Sequence, residues 1–250
     1  KMGYPYGKVN NKPLNISAGQ KIDSIYCADA RYREDGFPVV MYHNGEFYGL
    51  YTIKTKKHRK NYGMQKAVKD EIFLDSITYT AFLNEPFNYA DWELKNPKLA
   101  GYDEGMPITD ASVSANINRL FSFLNNISTE ADNHADYIVL PHWIAYFIFS
   151  ELVGNSDING NNMNILTWDG THWSIVPYDL DVSLGLHTWD EHYIEPSMTG
   201  LITTGIAFFR NFYNAYKDDI ISMYRKFREM GFISEDNLYG YYVRQVESIQ

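Results

Sequence analysis

The chain has 250 residues and a formal net charge of −9, from 22 Lys and Arg against 31 Asp and Glu. This acidic balance argues against nucleic acid as the main partner, because affinity for phosphate backbones comes from Lys and Arg. The single Cys27 excludes an intrachain disulfide framework and a cysteine-rich zinc site, and no apolar run reaches the roughly 20 residues that span a bilayer, so we expect no membrane span.

The first predicted element is a β-hairpin over residues 38–54. Two strand-like runs flank Asn44-Gly45, and this dipeptide favours a type I′ turn because both positions tolerate positive φ. A basic run, residues 54–60, follows the second strand. One of its lysines could contact nucleotide phosphates as a point charge, with Lys54 and Lys57 as the best candidates, and the alternative is a solvated turn.

The middle of the chain predicts one strand, an irregular insert and two helices. Residues 72–74 predict the strand, and the prolines within residues 84–108 predict the insert. Thr109 and Asp110 are predicted to cap a helix with apolar residues at helical spacing. Pro141 suits the first turn of a second, apolar helix, and Gly154 is expected to end it.

Two further strands and a helical C-terminal part complete the prediction. Residues 163–168 and 172–176 predict strands joined by a turn at Asp169-Gly170, and two apolar stripes at helical spacing predict helices in the last third. Strands followed by helices, a hairpin and further helices indicate an α+β fold.

Four polar residues form the pattern that points to chemistry. Asp157 follows the second predicted helix, Asn162 comes five residues later, and the Asp-x-Asp pair Asp179 and Asp181 leaves the last strand. Phosphoryl transfer needs one carboxylate to accept the proton of the attacking hydroxyl, and carboxylate and amide oxygens to hold Mg²⁺ on the phosphates. Each half of the pattern alone is more often a local Asx turn. A Ca²⁺ site formed by the same carboxylates and asparagines is a further alternative. The combination, in this order, favours a metal–nucleotide site.

The sequence resembles the spore-coat-protein-H-like (CotH) kinase family over residues 38–185. The resemblance is carried by Asn44-Gly45-Glu46-Phe47-Tyr48-Gly49-Leu50-Tyr51, by Asn155-Ser156-Asp157 with Asn162, and by Trp173-Ser174-Ile175-Val176-Pro177-Tyr178-Asp179-Leu180-Asp181 with Gly185. The run Lys56-Lys57-His58-Arg59-Lys60-Asn61-Tyr62 is similar to that of a phage-encoded branch of the family.

The resemblance implies an atypical kinase-like fold, ATP and Mg²⁺ as cofactors, and phosphoryl transfer to Ser or Thr hydroxyls of a protein. Asp157 matches the catalytic aspartate, and Asn162 the metal-binding asparagine, with Asn164 as its alternative. Asp179 or Asp181 matches the metal-binding aspartate. We expect residues 1–250 to form one domain that lacks part of the family's N-terminal region.

The departures from the family pattern keep a second function open. Lys54 stands where many members have an acidic residue, and the basic N-terminal segment of the family is reduced to a trace in residues 1–20. The alternative is a non-catalytic structural or binding module, such as a phage appendage or a surface-coat component. In either case we expect a protein partner on a virion, spore or cell surface, and a virion-associated, spore-surface or extracellular location over a cytoplasmic one.

Overall fold

The structure, a computed structural model, describes residues 36–54, 56–155, 161–180, 183 and 207–247. These residues form an α+β fold with two antiparallel sheets and a mainly helical C-terminal part. The strands are β1 (Gly36–His43), β2 (Glu46–Lys54), β3 (Ile72–Ile77), β4 (Trp92–Asn96), β5 (Asn161–Thr167) and β6 (Trp173–Pro177). The helices are α1 (Ala111–Asn125), α2 (Ile127–Glu130), α3 (Leu140–Val153), α4 (Ala207–Glu229) and α5 (Glu235–Glu247), with short 3₁₀ helices at Arg59–Asn61 and Ala131–Asp136.

The predicted N-terminal hairpin is confirmed as the two-stranded sheet β1-β2. Asn44 and Gly45 form its turn with φ values of 53° and 87°, which is the positive-φ pair that a type I′ turn requires.

The larger sheet has the strand order β4-β3-β5-β6, and every neighbouring pair is antiparallel. One finding differs from the sequence-based expectation: β4 lies inside residues 84–108, where we expected irregular structure. Its burial alternates, with Trp92 and Leu94 buried and Glu93 and Lys95 partly exposed between them. Pairing with β3, a distant partner along the chain, makes this segment a strand despite its proline-rich flanks.

The helices begin and end where the capping residues predict. The Asp110 carboxylate accepts hydrogen bonds from the backbone N–H groups of Ser112 and Val113, both at 3.2 Å, and so caps α1. Pro141 lies in the first turn of α3, and Gly154, with φ of 61°, ends that helix in the left-handed region.

The main core lies between one face of the larger sheet and helices α1, α3 and α4. Aromatic contacts join α3 to α4, with Trp143 against Phe208 and Phe147 against Phe212. Helix α4 is interrupted at Tyr216, whose φ of −121° and ψ of 27° are not helical. The Tyr216 hydroxyl donates to the backbone oxygen of Ala131 at 3.0 Å, which anchors α4 next to α2. Within the described residues, none of these helices is both long and apolar enough to span a bilayer.

Candidate functional site

The face of the larger sheet turned away from the helices is apolar at one end and polar at the other. Because successive strand residues point to opposite faces, Phe73 and Asp75 of β3 lie on this face, whereas Leu74 belongs to the main core. Tyr62 covers Phe73, with ring centroids 5.1 Å apart. Strand register sets Asp75 opposite Glu93 of β4 and Asn164 of β5. We call Asp75, Glu93, Lys95 and Asn164 the polar cluster.

Asp75 is the negative centre of the polar cluster, and it is only 2% exposed. Burial raises the pKa of Asp75, and Lys57 and Lys95 act in the opposite direction. The Lys57 ammonium donates to one carboxylate oxygen at 2.8 Å, and the Lys95 ammonium lies 3.6 Å from the other. Lys95 also pairs with Glu93. An unpaired charge in this buried position would cost folding free energy. The Asp75 carboxylate therefore holds the ammonium groups of Lys57 and Lys95 in place.

Lys57 connects the polar cluster to the segment that leaves β6. Its ammonium lies 3.6 Å from the centroid of the Tyr178 ring, which is cation–π distance. Tyr178 directly precedes Asp179, and the Tyr178 N–H donates to the backbone oxygen of Asn162 at 3.2 Å. The basic segment after β2, the start of β5 and the end of β6 therefore meet at one place.

The backbone is unusual at the two ends of this meeting point. Asn162 and Asp179 have φ values of 55° and 47°. Among the described non-glycine residues, Asn44 in the hairpin turn is the other one with positive φ. Left-handed backbone at such residues costs on the order of 1 kcal/mol and is concentrated at functional sites and turns. Both residues belong to the set that the sequence predicts for metal binding.

Two buried asparagines next to the predicted site have side chains without hydrogen-bond partners among the described residues. Asn164 is fully buried in β5, and neither its amide oxygen nor its amide nitrogen is satisfied. Asn155, which follows Gly154 at the end of α3, is buried and unsatisfied in the same way. Buried amides normally find partners, and these two side chains lie two residues along the chain from Asp157 and Asn162.

The structure places some of the predicted site residues and leaves others outside its described part. Lys57, Asn162 and Asp179 are brought together around Tyr178. Lys54 is the last residue of β2, and its side chain is outside the described part. Asp157 and Asp181 also lie outside the described residues, so their roles remain predictions.

Sequence reasoning missed three charged residues of the site, Asp75, Glu93 and Lys95. A signal for Asp75 was present, because a carboxylate directly follows the apolar run Ile72-Phe73-Leu74 in a strand. Charged residues are rarely fully buried unless they are paired. Glu93 and Lys95 both lie in β4. Because the sequence did not predict this strand, it did not predict their positions beside Asp75 either.

The described part of the site offers some of the groups that Mg²⁺ and a nucleotide need. No three His, Cys, Asp or Glu side chains come together as a metal site in the described ranges, which contain neither Asp157 nor Asp181. The Asp179 carboxylate and the amide oxygens of Asn162 and Asn164 are the hard oxygen donors that Mg²⁺ takes. The unsatisfied amide of Asn164 and the ammonium of Lys57, at the ring of the residue before Asp179, are compatible with a metal–phosphate group.

Comparison with known proteins identifies the family. A family model described as CotH kinase protein matches residues 33–249, which include the hairpin, the polar cluster, Tyr178-Asp179 and the C-terminal helices. No curated protein matches the sequence. The family match covers most of the chain and confirms the resemblance seen in the sequence motifs. This chain belongs to the CotH kinase family.

Proposed function

We propose that the protein catalyses ATP- and Mg²⁺-dependent phosphoryl transfer to Ser or Thr hydroxyls of a protein. The observation that supports this best is the position of Lys57. Its ammonium lies 2.8 Å from the Asp75 carboxylate and 3.6 Å from the centroid of the Tyr178 ring. Tyr178 is the residue before Asp179. A fixed cation beside a candidate metal ligand is the pairing that phosphoryl transfer uses.

In this proposal Lys57 contacts phosphate oxygens, and Asp75 positions its ammonium. Lys57 is favoured over Lys54 because its side chain points to the Tyr178–Asp179 segment. Asp179, with Asp181 as its alternative, and Asn162, with Asn164 as its alternative, would hold Mg²⁺. Bound Mg-ATP supplies the phosphoryl group that the acceptor hydroxyl receives, and ADP is the leaving group.

Asp157 is proposed to accept the proton of the acceptor hydroxyl. It comes five residues before Asn162, whose backbone oxygen is bonded to the Tyr178 N–H. Five residues of fully extended chain span at most about 18 Å. Chain length therefore keeps Asp157 in the neighbourhood of Asp179, which supports a shared site.

The experiment is a transfer assay with radiolabelled ATP and Mg²⁺. We expect autophosphorylation or phosphorylation of an added protein to fall by about 10²-fold or more in Asp157→Ala and in Asp179→Ala, and to stop when EDTA removes Mg²⁺. Asp103→Ala is the matched control, since Asp103 is exposed and lies in the loop after β4. Full activity in both site variants would contradict the assignment.

One observation favours a second candidate function, binding without turnover. The β1-β2 hairpin exposes large apolar side chains, with Tyr42, Phe47 and Tyr48 all more than half exposed. Such a surface suits a protein partner on a virion, spore or cell surface. Thermal denaturation with and without Mg-ATP separates the two functions. A nucleotide site predicts a higher Tm with Mg-ATP, whereas no shift together with no transfer would favour the binding module.

A further inference from the structure

Two ion pairs lie side by side on the face of the larger sheet turned away from the helices. The Lys57 ammonium donates to Asp75, and the Lys95 ammonium donates to Glu93. Strand register sets Asp75 of β3 opposite Glu93 of β4, and Lys95 follows two positions later on the same face of β4. The pairs are therefore neighbours, and the charges of each pair act on the other.

The Asp75 carboxylate is shared unequally between the two lysines. Its Oδ1 lies 2.8 Å from Lys57 Nζ, whereas its Oδ2 lies 3.6 Å from Lys95 Nζ. The hydrogen bond from Lys95 goes to Glu93 Oε2 instead. Glu93 therefore competes with Asp75 for Lys95, and Lys95 competes with Lys57 for Asp75.

Burial makes this competition stronger than it would be on an open surface. None of the four side chains is more than 24% exposed, and Asp75 is the most buried of them. Water and salt screen such charges less than exposed ones. In the described part of the chain, Lys57 and Lys95 are the two cations within salt-bridge distance of Asp75. A change at one of them must therefore alter the hold of Asp75 on the other.

The hold of Asp75 on Lys57 matters for the proposed nucleotide site. An ammonium has three donor hydrogens, and Lys57 directs one of them to the Asp75 carboxylate. A phosphate oxygen that binds Lys57 competes with that carboxylate for the same positive charge. The more strongly Asp75 holds Lys57, the less favourable the phosphate contact becomes.

We propose that Glu93 and Lys95 are positioning residues, which set how strongly Asp75 holds Lys57 and thereby set the affinity for ATP. This inference rests on the proposed function for the contact between Lys57 and the nucleotide. Without the charge of Glu93, Lys95 turns to Asp75, and Lys57 is held less strongly. Without the charge of Lys95, Asp75 is left to Lys57 and holds it more strongly. Two changes that break the same salt bridge therefore have opposite effects on ATP binding.

The experiment measures the dissociation constant of Mg-ATP by titration calorimetry on the full chain. We expect Glu93→Gln to lower it and Lys95→Met to raise it, each by about three- to tenfold. Lys95→Arg keeps the charge and should stay near the wild-type value. Glu85→Gln and Lys98→Met are the matched controls, since both side chains are exposed and neither forms a salt bridge among the described residues.

A double-mutant cycle with Lys57→Met shows whether the two residues act through Lys57. In that background both shifts should disappear. Shifts that persist without Lys57 would mean that the lost charges act directly on the nucleotide, and they would overturn the proposal. Weaker ATP binding in both Glu93→Gln and Lys95→Met would overturn it as well, because a merely structural salt bridge predicts that result.

A measurement without nucleotide separates this inference from the proposed function. The rate at which acetic anhydride labels the Lys57 amine, read by mass spectrometry, should rise in Glu93→Gln and fall in Lys95→Met. If these rates shift as expected while the wild type neither binds Mg-ATP nor transfers a phosphoryl group, the proposed function fails and the control of Lys57 by Glu93 and Lys95 stands. Unchanged labelling in both variants would show that Glu93 and Lys95 do not control Lys57.

Discussion

Lys57 is the residue on which the proposed nucleotide site depends most directly. Replacing it with Met removes the cation at the Tyr178 ring, and we expect phosphoryl transfer to fall by about 10²-fold. Lys56→Met is the control, because Lys56 is exposed and adjacent in sequence. The measurement is kcat/KM for ATP in the transfer assay. Equal values for the two variants would show that Lys57 does not contact the nucleotide.

A double replacement separates this role of Lys57 from its structural role. Lys57→Met also leaves the buried Asp75 with Lys95 as its remaining cation, at 3.6 Å, so some loss of stability is expected. Adding Asp75→Leu removes the buried carboxylate whose pKa burial raises. Stability should therefore recover in the double variant while activity stays low, because apolar replacement of a buried ion pair is often neutral or stabilising.

Among the elements, the β5-β6 turn depends on a glycine packed against α1. Gly170 has φ of 74°, and a Cβ there would lie 2.5 Å from Asn116 Nδ2 and 3.2 Å from Asp70 Oδ1. Gly101, with φ of 73° and open space around its position, is a matched control for the backbone strain alone. We expect Gly101→Ala to cost about 1–2 kcal/mol and Gly170→Ala about 1 kcal/mol or more beyond that.

Urea denaturation measures both glycine variants. Adding Asn116→Ala to Gly170→Ala removes the nearest side chain, so the extra cost should largely disappear in that double variant. Equal losses in Gly170→Ala and Gly101→Ala would mean that the turn has room for a methyl group.

The elements that the sequence predicted are those with local signals. Asn44-Gly45, the Asp110 cap, Pro141 and Gly154 each determine backbone geometry within a few residues, and all four appear where expected. Strand β4 needed a partner about twenty residues away, and the local prolines pointed to a loop. In α4 buried residues recur every four positions from Phe208 to Ile220, across the break at Tyr216, whereas Tyr224, the next position in that series, is exposed.

For the molecule as a whole, the sequence predicts a kinase-like candidate site but not the polar cluster that the structure places beside it. The order and spacing of Asp157, Asn162 and Asp179 predict a kinase-like site, because protein kinases carry a catalytic Asp, an Asn and a metal-binding Asp in that order. The polar cluster arises from strand register: Asp75 meets Glu93 on one side and Asn164 on the other because β3 is central in the sheet. Register depends on the packing of the whole fold, and no local motif encodes it.

The packing of α3 on the larger sheet also predicts how stability changes with pH. The imidazole Nδ1 of His142 lies 2.8 Å from the Ser174 hydroxyl of β6, and burial lowers the pKa of His142 to about 4. The unfolded chain binds this proton near pH 6.5, whereas the folded protein binds it only near pH 4. Stability from this histidine is therefore complete above pH 6.5 and is lost as the pH falls toward 4. The loss is at most about 1.4 kcal/mol per pH unit.

His172 acts in the opposite direction, because the hydrogen bond to Asp169 raises the pKa of His172. The stability that His172 contributes is therefore present below pH 6.5 and lost at higher pH.

From the lowered pKa of His142 we expect His142→Gln to reduce the slope of the unfolding free energy between pH 6.5 and 4.5. We expect His43→Gln, on the exposed hairpin, to leave that slope unchanged. Urea denaturation across this pH range measures both. An unchanged slope in His142→Gln would show that this imidazole takes up its proton equally easily in the folded and unfolded chains. The packing of α3 on β6 would then not exclude water from it.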